Sequence, residues 1–166
     1  MSAVVASQQP LTAQQLLNSI WDGTVPVNVV RLAERLGMTV RPNPLMADCG
    51  AITRRLHDVL LEYDPQQPVV RQRYAIAHLI GHVVLGHLGD QLTVLRDPVA
   101  NYSTKVSDPK ELAANDFALQ LLLPGSTLRY AVESGLFNDV EHMARAFGVS
   151  QVALVWRLRQ LGIVRT

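Results

Sequence analysis

Apolar residues recur every three or four positions in the first part of the chain and predict two short helices. These helices cover residues 12–21 and 26–36, and Gly37 follows the second as a typical C-terminal stop. Three segments then alternate between apolar and polar residues or are rich in β-branched ones, at 38–41, 50–55 and 57–63. They predict a small antiparallel sheet of about three strands.

A long run without internal proline follows the strands. Residues 68–88 carry apolar side chains at the spacing of a mostly buried helix, and residues 89–106 are interpreted as a long surface connection. A second long helix begins after a cap at Ser107 or Asp108 and ends before Pro124. Three shorter helices are predicted to complete an α+β fold with a helix-turn-helix-like C-terminal bundle, at 126–134, 139–147 and 150–161.

Composition limits the classes of protein. The chain has 166 residues, of which 48% are hydrophobic and 17% charged, with a formal net charge of +1. This length can bury a core without disulfides or a structural metal. The low charged fraction argues against intrinsic disorder, and the near-neutral balance provides no field that would recruit nucleic acid or an anionic membrane.

Targeting signals and cysteine content bear on location. The single cysteine, Cys49, indicates a reducing compartment and is interpreted as packing. The N-terminal residues lack the basic region and apolar core of a signal peptide, and no apolar run approaches the roughly 18 residues of a membrane span. We therefore expect an unprocessed cytoplasmic protein with no membrane association.

Two histidines lie four residues apart in the first long helix. His78 and His82 are separated by about 40° around the helix axis, so both imidazoles can reach one tetrahedral ion. The next long helix offers Glu111 in its first turn. Two histidines and one glutamate leave a fourth position for water, which is typical of a catalytic zinc site rather than a structural one.

The residue after the first histidine departs from the zinc-peptidase pattern His-Glu-x-x-His. Leu79 stands where the glutamate would take a proton from the zinc-bound water. Because leucine accepts no proton, no catalytic residue is identified at this position. Efficient proteolysis by the usual route is not expected.

Motifs along almost the whole chain resemble those of the ImmA/IrrE family of metallo-endopeptidases. That family's central helix is similar to residues 71–87, which read Arg-Gln-Arg-Tyr-Ala-Ile-Ala-His-Leu-Ile-Gly-His-Val-Val-Leu-Gly-His. Its second motif, Glu-x-x-Ala-Asn-x-Phe-Ala with a Leu-Leu-x-Pro ending, matches residues 111–124. Residues 25–37 resemble the family's first helix, and residues 143–154 and 158–162 resemble its closing helix-turn-helix.

The resemblance implies a fold, a cofactor and a partner. Family members bind zinc or manganese and cleave a helix-turn-helix transcriptional repressor, often one that controls a mobile element or a DNA-damage response. By this resemblance His78, His82 and Glu111 match metal ligands of a zincin-like core. The implied organisation is one domain over 1–166, with a peptidase-like core at 1–124 and a helical part packed on it at 125–166.

Two alternatives to a peptidase remain open. A non-catalytic regulatory module, or pseudoprotease, would bind a repressor-like partner without cutting it, and Leu79 favours this reading. A DNA-binding helix-turn-helix protein would use residues 139–163, although nearby acidic residues weaken the positive field and make protein contact the stronger expectation. The arginines available for phosphate contact are Arg145, Arg157, Arg159 and Arg165.

Three further polar residues lie near the candidate metal ligands in the sequence and are not counted among them. His87 lies about 140° from His82 around a continuous helix and is expected to point away from the ligands. Asn115 and Asp116 either orient a ligand histidine or serve as ordinary polar residues of their helix.

Overall fold

Seven helices and four strands make up the described part of the chain. The computed structural model describes residues 10–89, 93–97 and 106–164. The expected α+β class is confirmed. The helices are α1 (Ala13–Ile20), α2 (Val29–Arg35), α3 (Val69–Val84), α4 (Pro109–Leu122), α5 (Gly125–Glu133), α6 (Val140–Phe147) and α7 (Gln151–Gln160). The strands are β1 (Met38–Pro42), β2 (Gly50–Arg54), β3 (Val59–Tyr63) and β4 (Thr93–Asp97).

The sheet is mixed and has four strands in the order β1-β3-β2-β4. The prediction of a purely antiparallel sheet is wrong for one pair, because β1 runs parallel to β3, with Met38 opposite Val59. Strand β2 pairs antiparallel with both β3 and β4. The sequence predicts a surface connection over residues 89–106, but strand β4 lies inside this segment. Residues 90–92 and 98–105 of the segment fall outside the described residues.

Side-chain caps fix the beginnings of several helices, and the cap expected at Ser107 or Asp108 is Asp108. Thr12 and Gln15 form a capping box at α1. Asp108 accepts a hydrogen bond from the backbone N–H of Lys110 at the start of α4, where Pro109 takes the first helical position. Asp139 and Ser150 cap α6 and α7, the two helices of the expected helix-turn-helix.

Helix α3 lies at the centre of the fold. Its residues 75–82 are all buried, and it contacts strands β2 and β3 as well as helix α4. A glycine permits the approach of the two helices: a β-carbon on Gly81 would lie 3.2 Å from the carbonyl oxygen of Ala114 and 3.3 Å from Phe117 Cβ. Close packing at Gly81 therefore sets the spacing between α3 and α4.

The end of α3 differs from the sequence prediction. The helix stops at Val84 rather than 88, because Gly86 adopts a left-handed conformation with φ of 71°. The N–H of Gly86 then bonds to the carbonyl of Val83 at 3.2 Å, and the N–H of His87 to that of His82 at 2.9 Å. This pair of bonds is a Schellman motif, which reverses the chain direction just beyond the histidines.

A half-buried arginine connects the centre of the fold to its periphery. Arg73 of α3 donates from Nη2 to the carbonyl of Val27 at 2.8 Å and from Nε to the carbonyl of Gly148 at 3.0 Å. Burial lowers the pKa of Arg73. Gly148 terminates α6 with φ of 65°, so one side chain holds both the segment before α2 and the turn before α7.

Among the residues described, none of the helices combines the length and the apolar character needed to cross a bilayer. The expectations that rest on the N-terminal nine residues and on Arg165 lie outside the described residues.

Candidate metal centre

Three ligand-type side chains converge between α3 and α4. His78 Nε2 and His82 Nε2 are 3.0 Å apart, and Glu111 Oε2 lies 3.2 Å from the first and 3.3 Å from the second. Both histidines are buried, and the Glu111 side chain is only 12% exposed. The structure thus brings together the three residues that the sequence singles out.

Local structure explains why these atoms meet. His78 and His82 occupy successive turns on one face of α3. Glu111 lies in the first turn of α4, one turn before Ala114, the residue that packs against Gly81. The close approach of the helices at Gly81 therefore carries the Glu111 carboxylate to the two imidazoles.

The donor set fits a tetrahedral metal ion. Zinc binds histidine nitrogen and carboxylate oxygen at about 2.0–2.2 Å, and an edge of a tetrahedron is about 1.6 times the bond length, so neighbouring donors lie about 3.3–3.6 Å apart. The observed separations of 3.0–3.3 Å approach that edge. Two neutral imidazoles with one carboxylate are also the nitrogen and oxygen donors that zinc prefers. The cluster could hold a metal ion with a fourth position left over.

Leu79 is fully buried and packs against the first residue of β2. A β-carbon on Gly50 would lie 3.0 Å from Leu79 Cδ1 and 3.3 Å from Cδ2. The space beside this side chain is therefore taken by the backbone of the sheet. No proton acceptor is supplied by position 79, and its apolar side chain belongs to the core.

One family of known proteins matches most of the chain. A family model described as the IrrE N-terminal-like domain, Peptidase_M78, matches residues 33–159. The chain belongs to the Peptidase_M78 family. No curated protein matches significantly.

A solved structure supports the fold assignment. A Mycobacterium tuberculosis transcriptional regulator is similar over 88% of this chain, with a TM-score of 0.61 and 22% sequence identity. The chain spans only 44% of that regulator's length. The likeness to this regulator therefore concerns the fold that the Peptidase_M78 domain shares with part of a longer protein.

The expectation that His87 points away from the candidate metal ligands of this Peptidase_M78 domain is wrong. Its Nδ1 lies 3.0 Å from Nδ1 of His82, and the two rings meet edge to face with centroids 5.0 Å apart. Burial lowers the pKa of His87, and Lys110 acts in the same direction, whereas Glu111 and Asp108 oppose them. The glycine at position 86, a typical helix-ending residue, was the signal that could have revealed this contact.

The remaining polar candidates have other partners. Asn115 Oδ1 lies 3.2 Å from the hydroxyl of Tyr74, which connects α3 and α4 one turn away from the ligands. Asp116 accepts hydrogen bonds from Gln120 at 2.6 Å and from Gln160 of α7 at 3.0 Å. Asp116 therefore joins α4 to the C-terminal helices. Cys49 is buried, as expected.

Two of the arginines considered for DNA contact have partners within the protein. Arg145 pairs with Glu141 at 2.9 Å on α6. Arg157 is partly buried and donates to the carbonyl of Leu123, at the end of α4, at 3.2 Å. Arg159 is exposed on α7. Two of these three arginines thus have partners within the protein, and Arg157 serves the packing of α7 on α4.

Proposed function

We propose that this protein is a metal-binding regulator of the Peptidase_M78 family whose peptidase activity is impaired or lost. In this proposal it binds a helix-turn-helix transcriptional repressor in the cytoplasm. The observation that carries the proposal is Leu79, a buried residue that directly follows the first of two converging histidines, at the position of the family's catalytic glutamate.

His78, His82 and Glu111 would hold the metal ion. The separations of their donor atoms, 3.0–3.3 Å, support this assignment, as does the burial of both imidazoles. A bound zinc ion would supply a Lewis acid and lower the pKa of a coordinated water toward about 7. Manganese is the other metal that the family resemblance implies.

This chain lacks a general base at position 79, where the resemblance places the family's glutamate. A positioned general base contributes about 10²–10⁴ in rate, or about 3–5 kcal/mol of barrier. The Leu79 side chain can neither accept the proton of a coordinated water nor pass it to a leaving amine. The residual chemistry would be slow hydrolysis at best, which favours binding over cleavage as the function.

The repressor partner is supported by the family. ImmA/IrrE-like proteins act on such repressors, and the similar solved structure is described as a transcriptional regulator. Loss of a base removes turnover but leaves the surface around the site able to contact a partner. A slow but functional peptidase is the second candidate, and the same metal ligands would serve it.

The experiment compares Leu79→Glu with Leu79→Gln in zinc-loaded protein. Both variants introduce a polar side chain of nearly the same size, and only glutamate can act as a base. Each is incubated with purified helix-turn-helix repressors of the same genome, and cleavage is followed by mass spectrometry while binding is measured by calorimetry. Metal content is determined on the same samples.

We expect the natural protein to bind one repressor without cutting it, and Leu79→Glu alone to cut that repressor in a zinc-dependent manner. A natural protein that cleaves as fast as Leu79→Glu contradicts the loss of activity. A protein that retains no zinc or manganese contradicts the metal site. Binding that survives in a metal-free His78→Ala variant would assign the function to the protein surface alone.

A further inference from the structure

The turn that ends α3 returns the chain to the metal site. With Gly86 in the left-handed region, the backbone N–H of His87 reaches the carbonyl of His82 at 2.9 Å. On a continuous helix residue 87 would lie about 140° away from residue 82. The reversal instead places the His87 ring against the His82 ring, with the two Nδ1 atoms 3.0 Å apart.

The contact uses the nitrogen of His82 that faces away from the cluster. His82 Nε2 points at His78 and Glu111, at 3.0 and 3.3 Å, so Nδ1 is left for His87. A neutral imidazole has one protonated nitrogen and one lone pair. When Nε2 supplies its lone pair to a metal, the proton must stay on Nδ1.

The protonation of His82 then determines that of His87. The two Nδ1 atoms are 3.0 Å apart, and with a metal on Nε2 of His82 its Nδ1–H would be the donor, His87 Nδ1 the acceptor, and the His87 proton would lie on Nε2. The lone pair of His87 would then fix both the tautomer and the rotation of the His82 ring. A group that does this usually is a carboxylate, a carbonyl or a water.

We propose that His87 is a positioning residue for the metal centre, which holds His82 with Nε2 directed toward His78 and Glu111. This inference rests on the proposed metal site and assigns a role to a histidine that is not itself a ligand. The described ligand cluster contains His78, His82 and Glu111 but not His87.

The side chain and the backbone of residue 87 have separable roles. The Schellman motif needs only the N–H of residue 87, which every residue except proline supplies. A side-chain substitution therefore leaves the turn in place and removes only the ring contact. His87→Leu deletes the acceptor, and His87→Asn restores an acceptor oxygen close to the position of Nδ1.

The experiment measures zinc affinity by chelator competition in the full chain. We expect His87→Leu to bind zinc about 10–100-fold more weakly than the natural protein, and His87→Asn to recover most of that loss. His57→Leu is the matched control, because His57 is exposed in the turn between β2 and β3. It should bind zinc as the natural protein does.

Two spectroscopic readouts separate positioning from general packing. Long-range ¹H–¹⁵N correlation of the zinc-loaded protein should show a proton on Nδ1 of His82 and on Nε2 of His87. The visible d–d bands of the cobalt(II)-loaded protein should shift in His87→Leu and return in His87→Asn. Circular dichroism of the metal-free variants checks that the fold is retained.

The outcomes of these experiments separate the positioning role of His87 from the existence of the metal site. If the natural protein binds zinc and His87→Leu binds it equally tightly, His87 has no positioning role although the metal site stands. An Nδ1–H proton on His87 in the zinc-loaded protein also overturns the inference. A natural protein that binds no zinc overturns both proposals.

Discussion

Leu79 fills the space that a side chain at Gly50 would need. A β-carbon built on Gly50 would lie 3.0 Å from Leu79 Cδ1, closer than ordinary van der Waals contact. Because Leu79 is completely buried, its side chain has little freedom to withdraw. Leu79, the residue that follows the first histidine of the motif, is thus a tightly fitted member of the core.

We expect Gly50→Ala to destabilise the protein by about 1–3 kcal/mol through overpacking against Leu79. In a Leu79→Ala background, the same substitution should become neutral or favourable, because the conflict is removed and alanine is preferred to glycine within a strand. Urea unfolding of the four proteins measures this coupling. Equal costs of Gly50→Ala in both backgrounds would show that Leu79 can move aside.

The tight packing of Leu79 against Gly50 predicts that a glutamate introduced at position 79 destabilises the protein. Leu79→Glu places a carboxyl group where the surroundings are buried and apolar, so the metal-free variant should be less stable than the natural protein by about 2–4 kcal/mol. Thermal unfolding in chelator checks this. An unchanged melting temperature would mean that the carboxyl group finds solvent or a hydrogen-bond partner.

Zinc should stabilise the protein without being needed for folding. At a free concentration 100-fold above the dissociation constant, one specific ion adds about 2.7 kcal/mol. For a chain of this length, that corresponds to roughly 5–10 °C in melting temperature. Glu111→Gln, which keeps the size of the side chain, should lose most of the shift, while helix content should persist in chelator. Unfolding by chelator alone would contradict the apolar packing of α3 on α4 as the source of stability.

Arg73 should be sensitive even to conservative replacement. Arg73→Met leaves the carbonyls of Val27 and Gly148 without their donor, at an expected cost of about 2–3 kcal/mol. Arg73→Lys should restore only part of the loss, since lysine lacks the planar fork that reaches both oxygens. Arg71→Met, at an exposed position of the same helix, serves as the control and should stay within about 0.5 kcal/mol. Denaturant titration of the three variants compares these costs.

The sequence was most informative where structure is local. The four-residue spacing of His78 and His82 follows from helix geometry, and caps such as Asp108 and Ser150 have side chains that identify them. The convergence of Glu111 depends on how two helices pack, and it was predictable because α4 carries the carboxylate in its first turn within a recognisable family motif.

Pairings between strands that lie far apart in the chain are harder to predict from the sequence. Strand β4 has little alternation of its own and is defined by its pairing with β2, so its formation depends on tertiary context. The parallel pairing of β1 with β3 likewise depends on the order of strands in the finished sheet. The error at His87 had a local cause, since helical periodicity was extended through a glycine that ends the helix.

The residues that allow α3 and α4 to approach closely at Gly81 are different from the residues proposed to take part in metal chemistry. The close approach at Gly81 is made against Ala114 and Phe117, and none of these three residues is a candidate metal ligand or a side-chain proton acceptor. The spacing of the helices at Gly81 therefore does not depend directly on the side chain at position 79, although Leu79 itself packs in the core against Gly50. A domain of this family can in this way keep the arrangement of its two central helices while the chemistry at position 79 changes.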